Sequence, residues 1–579
     1  MLLRLLRFYL RPHARTLGAI LLLQLVSTLA AMMLPSLTAD VINDGLLAAD
    51  SDAVIRIGLV MLGISAIQMV AQISTAFLAA RMAARVGGEI RRSVFATVQR
   101  LSVAEVSQVG APSLITRSTN DVLQVQMVTL MGSMFLVMAP LMMVGGIVMA
   151  VLEDPPLSWL IVAAVPVLLA VMLGAILLAR PLFEVVQKRI DRINRLMREQ
   201  ISGVRVIRAF TRQSTQRATF DSASRELAGT QRRIGVIFGI TFPLVQLVVM
   251  GGQVAVVWFG GLRVDAQEME IGSIVAFLSY LMFIFMSVMF SVMLLMMIPR
   301  AEVCARRITE VLDITPAIAP PAQPQEIGPR QAGRRVELVE ATFGYPGAEE
   351  PVLDRVTLTL EPGTTTAVVG STGSGKTTLV NLLPRLLDVA AGSVRIGGVD
   401  VRAAALGDVR SRVALVPQQA FLFGGTVRST LSLGSSEVPE DRLWQALEVA
   451  QAADFVRDLD DGLESAVEPG GTNFSGGQKQ RLAIARALVR GGEIYVFDDA
   501  FSALDMATDA RLRAALPTMT AGATTLVVAQ RISTIRDADQ ICVLDAGRVV
   551  GLGTHSELMD GNATYREIVL SQISREEAA

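Results

Sequence analysis

Nine consecutive residues, Gly370-Ser371-Thr372-Gly373-Ser374-Gly375-Lys376-Thr377-Thr378, have the types and spacing to hold phosphate. They match G-x-x-x-x-G-K-[ST], with an apolar strand (366–369) before them and a helical run (379–383) after them, the context this pattern requires. Glycines let backbone N–H groups turn inward onto phosphate oxygens, and a helix start adds positive potential. Lys376 is placed to meet the β- and γ-phosphates, and the Thr377 hydroxyl to ligate Mg²⁺. A functionless Gly/Ser turn is the plain alternative, but it would not need Lys and Thr at these two positions. Lys376 is also one of three lysines, in a chain that otherwise uses arginine for positive charge.

The elements that must position this loop differ sharply along the 579 residues. The chain is 52% hydrophobic and 18% charged, with a mean hydropathy of +0.50. A soluble domain carries about 25% charged residues, so apolar surface must be hidden from water. Uncharged stretches run over 17–39, 57–80, 122–152 (its spanning part 128–152), 157–179, 234–262 and 271–299. Each exceeds the ~20 residues that cross ~30 Å of hydrocarbon as a helix, which predicts six spanning helices. The first stretch is too long for the apolar part of a secretory leader and lacks a clear cleavage site. A net charge of −1 offers no basic field for nucleic acid. The two cysteines, Cys304 and Cys542, do not suggest a disulfide framework.

Arginine placement orients the spans. Arg4, Arg7, Arg11 and Arg15 precede the first; Arg81, Arg85, Arg91, Arg92, Arg100 and Arg117 lie between the second and third. Lys188, Arg189, Arg192, Arg195, Arg198, Arg205, Arg208 and Arg212 lie between the fourth and fifth, whereas the alternate loops are short and acidic. The positive-inside rule then puts both termini and the two long loops in the cytoplasm, at the plasma (inner) membrane. Those loops, about 40 and 50 residues, are helix-compatible and continue the membrane helices beyond the bilayer. The membrane domain is thus expected over 1–312. A Pro/Gly/Ala/Gln-rich linker follows at 313–335, then an α/β nucleotide-binding domain over 336–579 with strands at 336–338, 356–360 and 366–369.

Further motifs make the chain resemble an ATP-binding cassette (ABC) exporter half-transporter over nearly its whole length. Asn473-Phe474-Ser475-Gly476-Gly477-Gln478 resembles the family signature, with Phe474 where leucine is usual. Ile494-Tyr495-Val496-Phe497-Asp498-Asp499 resembles the Walker B strand, Ser502-Ala503-Leu504-Asp505 the D-loop, and Val416-Pro417-Gln418 the Q-loop. Tyr345, in Phe343-Gly344-Tyr345-Pro346, resembles the aromatic that stacks on adenine. The stretches 110–117 and 206–210 resemble the loop segments that touch the nucleotide domains. The resemblance implies bound ATP and Mg²⁺, with Asp498 and Gln418 at the metal. It also implies that Ser475, Gly476, Gly477 and Gln478 grip the γ-phosphate of an ATP held by an opposite subunit, with Asp505 at the dimer interface.

Two departures shape the functional expectation. The family's general base after the Walker B aspartate is a glutamate, and here Asp499 stands in its place. One methylene less retracts the carboxylate by about an ångström, and a misplacement of that size costs on the order of 10²-fold in rate. The family's switch histidine is replaced by Gln530, and the only histidines are His13 and His555. Glutamine can hydrogen-bond a phosphate but carries no imidazolium charge. Both changes fall in one nucleotide site while the signature, which serves the other site, is intact. The pattern resembles the degenerate-site subunit of a bacterial heterodimeric multidrug-type exporter, whose partner keeps the glutamate and the histidine.

No charged residue sits mid-span, which argues against an ion relay. Gln24, Gln68, Gln72, Gln246 and Gln253 either line a cavity or bridge helices. Met282, Met286, Met289, Met293 and Met296 share one face of the sixth span, and they serve as packing or as a permissive apolar wall. The expected cargo is a small hydrophobic or amphiphilic molecule, in a protein surrounded by membrane lipid. The alternatives are a homodimeric exporter, an exporter-shaped siderophore importer, and an ATP-binding regulatory subunit. Six spans exclude a soluble DNA-associated ATPase.

Overall fold

The computed structural model describes residues 1–345, 347–433 and 437–572. Pro346 of the adenine-stacking motif and the last seven residues of the expected nucleotide domain lie outside them. The described chain divides into two compact units, one of residues 1–99 and 112–314, the other of 100–111 and the described residues from 315 onward.

The first unit is helical. Among the described residues, six helical stretches are long and apolar enough to cross a membrane: Leu2–Leu47, Ser51–Val98, Ala111–Glu153, Pro156–Ser202, Gln213–Asp265 and Ile271–Leu312. The second runs as one helix for 48 residues, about 72 Å at 1.5 Å per residue, more than twice the hydrocarbon thickness. The arginine-rich loops are therefore mostly helix, as their periodicity predicts. Several helices carry internal prolines, among them Pro35, Pro140, Pro166, Pro181, Pro243 and Pro299. Two stretches widen into π-helix, Val41–Leu47 and Arg117–Asp121, and nothing in the hydropathy pattern announces them. Gln24 is buried, and its Oε1 has no hydrogen-bond partner among the described residues.

The second unit is α/β. Its strands are β1 (Val336–Phe343), β2 (Leu353–Leu360), β3 (Thr365–Val369), β4 (Ala391–Ile396), β5 (Val399–Asp400), β6 (Val413–Val416), β7 (Gly425–Thr426), β8 (Ala466–Val467), β9 (Ile494–Asp498), β10 (Thr524–Val528), β11 (Gln540–Asp545) and β12 (Arg548–Gly553). A six-stranded sheet runs in the order β12-β11-β3-β10-β9-β6, and a four-stranded one β2-β1-β4-β5. In the larger sheet β11, β3, β10, β9 and β6 are parallel and β12 antiparallel. Alternate residues feed two cores. Ala367, Val369, Tyr495, Phe497, Val527, Ile541 and Val543 face one; Val368, Ile494, Val496, Leu526, Val528, Cys542 and Leu544 face the other. This burial on both faces explains why the strands read as unbroken apolar runs.

The stretch 313–335 carries no named strand, yet it is not loose. Ile318, Ile327 and Arg334 are buried. The Arg334 Nε donates to Glu493 at 2.9 Å, Arg412 donates to the same carboxylate at 2.9 Å, and the Gln331 amide adds a third contact at 2.8 Å. One buried acid between two buried guanidiniums pins this segment to the end of the sheet that β6 and β9 start from.

Candidate functional site

The phosphate-binding pattern forms a tight loop between β3 and the helix Lys376–Leu382. That helix has only seven residues, so anion binding must rest on the loop amides and on Lys376 and Thr377. Gly373 and Gly375 have φ of +85° and +101°, a region L side chains rarely adopt. A Cβ on Gly375 would also lie 2.7 Å from Leu353 Cδ2 and 2.9 Å from the Val352 carbonyl oxygen. The glycine thus lets the loop close down on the start of β2. The Lys376 ammonium donates to the carbonyls of Gly370 at 2.9 Å and Ser371 at 2.7 Å, and to Ser374 Oγ at 3.4 Å.

The strand β9 is buried throughout and ends at Asp498. The Thr377 hydroxyl donates to Asp498 Oδ1 at 3.3 Å. A Mg²⁺ ion takes octahedral oxygen ligands, usually one or two carboxylates with phosphates and waters, and this hydroxyl–carboxylate pair fits that need. No cluster of three or more His, Cys, Asp or Glu occurs among the described residues, so a metal here would depend on the nucleotide for further ligands. Gln418, just beyond β6, donates through Nε2 to Asp499 Oδ2 at 3.3 Å.

Asp499 itself is 9% exposed and has a left-handed backbone, φ +48°. Its amide donates to the Val528 carbonyl at 2.9 Å, and Ser502 Oγ donates to its carbonyl at 2.8 Å. These bonds force the chain to turn sharply as it leaves β9. Aspartate tolerates that conformation better than most residues because its short side chain can bond locally. The sequence signal was present, an aspartate directly after a buried strand, but only the folded backbone gives it this meaning.

These groups line one cavity of about 250 Å³. Thr372, Gly373, Gly375, Lys376, Thr377, Thr378, Gln418, Asp498, Asp499 and Gln530 all border it, as do Val352 and Val528, which sequence reasoning had not singled out. The Tyr345 hydroxyl lies 3.4 Å from Thr378 Oγ1, and its ring meets Phe343 edge-on at 5.0 Å. Burial raises the carboxyls of Asp498 and Asp499 above the usual carboxylate range, and for Asp498 the neighbouring Asp499 adds to the effect. Burial also lowers the Lys376 ammonium, against the pull of the two aspartates. Desolvated charges of both signs, aimed into one cavity, mark a site built to exchange them with a ligand. Neither histidine takes part: His13 meets Glu89 at 3.1 Å and His555 meets Tyr565 at 2.7 Å.

The signature residues are elsewhere. Ser475, Gly476, Gly477 and Gln478 do not border the cavity, nor does Asp505. Ser475 caps the helix Gly476–Arg490, accepting from the Gln478 amide at 3.3 Å while Gln478 Oε1 accepts from the Ser475 amide at 2.9 Å. The serine hydroxyl accepts in this bond, so its own proton stays free to be donated to an anion. Asp505 likewise caps the helix Met506–Ala515 through the Thr508 amide at 2.9 Å. Phe474, where the pattern usually has leucine, is buried and meets Phe455 at 6.3 Å, so it keeps the apolar role. In the helical unit, Met289, Met293 and Met296 border an apolar cavity of about 410 Å³ together with Met172 and Met297, and Met282 and Met286 do not.

Residues 17–288 match the family model described as the ABC transporter transmembrane region, and residues 353–502 the one described as ABC transporter. An uncharacterized ABC transporter ATP-binding protein of Mycobacterium tuberculosis is 46% identical over 575 residues, covering 99% of this chain and 98% of that one. An ATP-dependent lipid A-core flippase of Thiobacillus denitrificans is 29% identical over 569 residues, covering 98% and 97%. Among solved structures, a bacterial Atm1-family ABC exporter with ATP bound superposes with a TM-score of 0.77 at 22% identity, covering 98% of this chain and 99% of that one.

Proposed function

Since the chain belongs to the ABC transporter family, and is an ATP-binding, ATP-hydrolysing subunit with its membrane region fused to its nucleotide domain, we propose that it is the degenerate-site half of a heterodimeric exporter. Its cargo is a hydrophobic or amphiphilic molecule of drug or lipid type, moved out across the plasma membrane. A flippase for a lipid stands among its relatives, and the methionine-lined cavity offers a compliant apolar wall. Both termini are cytoplasmic in this reading, following the arginines.

The observation that carries the proposal is the cavity itself. It gathers this chain's loop, Asp498, Asp499 and Gln530, and holds no residue of the signature. In this reading a second chain supplies the grip on the terminal phosphate, and this chain's Ser475, Gly476, Gly477 and Gln478 supply the same to the other chain's nucleotide. Lys376 meets the β- and γ-phosphates. Thr377 and Asp498 would hold Mg²⁺, which would neutralise and align the phosphate oxygens. Asp499 takes the proton of the attacking water, and its short side chain makes that step slow. Gln530 donates a hydrogen bond to the terminal phosphate without adding charge. Binding closes the nucleotide domains, and hydrolysis at the partner's competent site reopens them.

The test is ATP turnover by the purified chain alone and with a partner half-transporter carrying the glutamate and the histidine. A nearly inactive chain that becomes active as a pair is the expected result. Brisk turnover by the chain alone, as a homodimer, overturns the heterodimer.

A further inference from the structure

The helix Leu2–Leu10 lies apart from every group used so far. Leu2, Leu5 and Tyr9 are its buried side, whereas Leu3 and Phe8 stand 81% and 73% exposed. The amide of Leu2 and the Met1 amine both donate to Glu302, at 2.9 and 2.8 Å, which fixes the helix against the end of Ile271–Leu312. Arg4, Arg7 and Arg11 follow one another at helical spacing, and together with Phe8, Tyr9 and Leu312 they border a cavity of about 530 Å³. That cavity has one acid, Asp313, whose only ion pair among the described residues is a loose one to Arg4 at 3.9 Å. Arg7 and Arg11 make no ion pair among the described residues.

We propose that this cavity is a binding site for the phosphate-bearing headgroup of an anionic phospholipid. Three guanidiniums facing a single carboxylate leave the cavity net positive, and guanidinium forks match phosphate oxygens two at a time. The lipid, rather than a free phosphate compound, is favoured by the helix's outer face. Leu3 and Phe8 give acyl chains an apolar seat next to the charges, the pattern of helices that lie in a membrane interface. The first apolar stretch begins at residue 17, about 9 Å along the helix from Arg11, so the arginine side of the cavity lies next to the start of the hydrocarbon, while Ser93, Thr309 and Asp313 border it from beyond the ends of the neighbouring spans. Anionic lipid enriched in the cytoplasmic leaflet would then occupy it, which rests on the orientation proposed above.

The test uses native mass spectrometry of the full chain in detergent, with phosphatidylglycerol, phosphatidylcholine and inorganic phosphate as probes. Wild type is expected to retain phosphatidylglycerol over phosphatidylcholine, and R4A/R7A/R11A to lower the phosphatidylglycerol affinity by about a hundredfold. R4K/R7K/R11K, which keeps the charge but loses the paired donors, should fall between the two. As a charge-matched control, R195A/R198A/R217A alters exposed arginines of two other helices and should change it little. Equal loss in the control, or equal retention of the two lipids, overturns the site. Full displacement of phosphatidylglycerol by inorganic phosphate would assign the cavity to a soluble phosphate compound and overturn the lipid. The detergent assay reads the cavity whichever way the chain spans the membrane. Cysteine labelling of the termini from either side tests the orientation separately.

Discussion

Asp499→Glu is the most direct perturbation of the hydrolytic site. The added methylene extends the carboxylate by about 1 Å, and recovering a misplacement of that size is worth up to about 10²-fold in rate. Two structural terms oppose the gain. The backbone at 499 has φ +48°, where glutamate is less comfortable than aspartate by about 1 kcal/mol. The 3.3 Å hydrogen bond from Gln418 must also be remade, a loss of about 1 kcal/mol if it fails. Each 1.4 kcal/mol that falls on the transition state removes a factor of about ten. The expected net rise is therefore between about threefold, if both terms fall on the transition state, and about a hundredfold, if neither does, with a small drop in thermal stability. The assay is phosphate release at saturating Mg·ATP, with Lys376→Ala as blank. It is read for the chain alone and for the chain paired with a partner whose own site is disabled. If wild type already turns over briskly and Asp499→Glu slows it, the shorter carboxylate is the better-placed base and the reasoning fails.

Three further outcomes are expected. Glu493→Ala strands the buried guanidiniums of Arg334 and Arg412, which each lie 2.9 Å from it; it should cost about 3–5 kcal/mol, visible as lost cooperativity or a collapsed Tm. Ser475→Ala should cost about 1 kcal/mol by removing a cap and depress turnover of the pair. Ser475→Asp keeps the cap but sets a negative charge before the phosphates, so turnover should fall with Tm unchanged. Asp498 has its proton affinity raised by burial and by Asp499. The folded state therefore holds this proton above the ordinary carboxylate value near 3.8, and the destabilising cost of ionisation sets in as pH rises through the folded value. Asp498→Asn should then raise the Tm of the nucleotide-free protein at neutral pH. That gain should vanish below the ordinary carboxylate value, in thermal unfolding followed against pH.

The spans and the phosphate loop were legible because each is written locally. A run such as 271–299 without a charge can only be satisfied in hydrocarbon or a deep core, and Lys376 with Thr377 after spaced glycines has few other uses. The helical continuation of the arginine-rich loops was legible for the same reason. What stayed hidden depends on partners far apart in the chain. Glu493 meets Arg334 across 159 positions, so a segment composed like a linker is in fact pinned. The left-handed turn at Asp499 arises from bonds to Val528 and Ser502, and Val352 reaches the cavity only because β2 packs on Gly375. Each is a tertiary outcome that periodicity cannot carry.

The capped segments at Ser475 and Asp505 have a consequence for how two such chains meet. Gln478 and Ser475 hold one another through reciprocal bonds, and Thr508 holds Asp505, all within one chain. The entropy of ordering these loops is lost when the domain folds, not when the dimer closes. If these segments grip the partner's nucleotide as proposed, closure is a rigid-body event, driven by the nucleotide held between the halves and undone when it is hydrolysed. A clasp already formed can open and shut on every cycle without local refolding, so nucleotide lifetime, not loop dynamics, sets how long the two halves stay together.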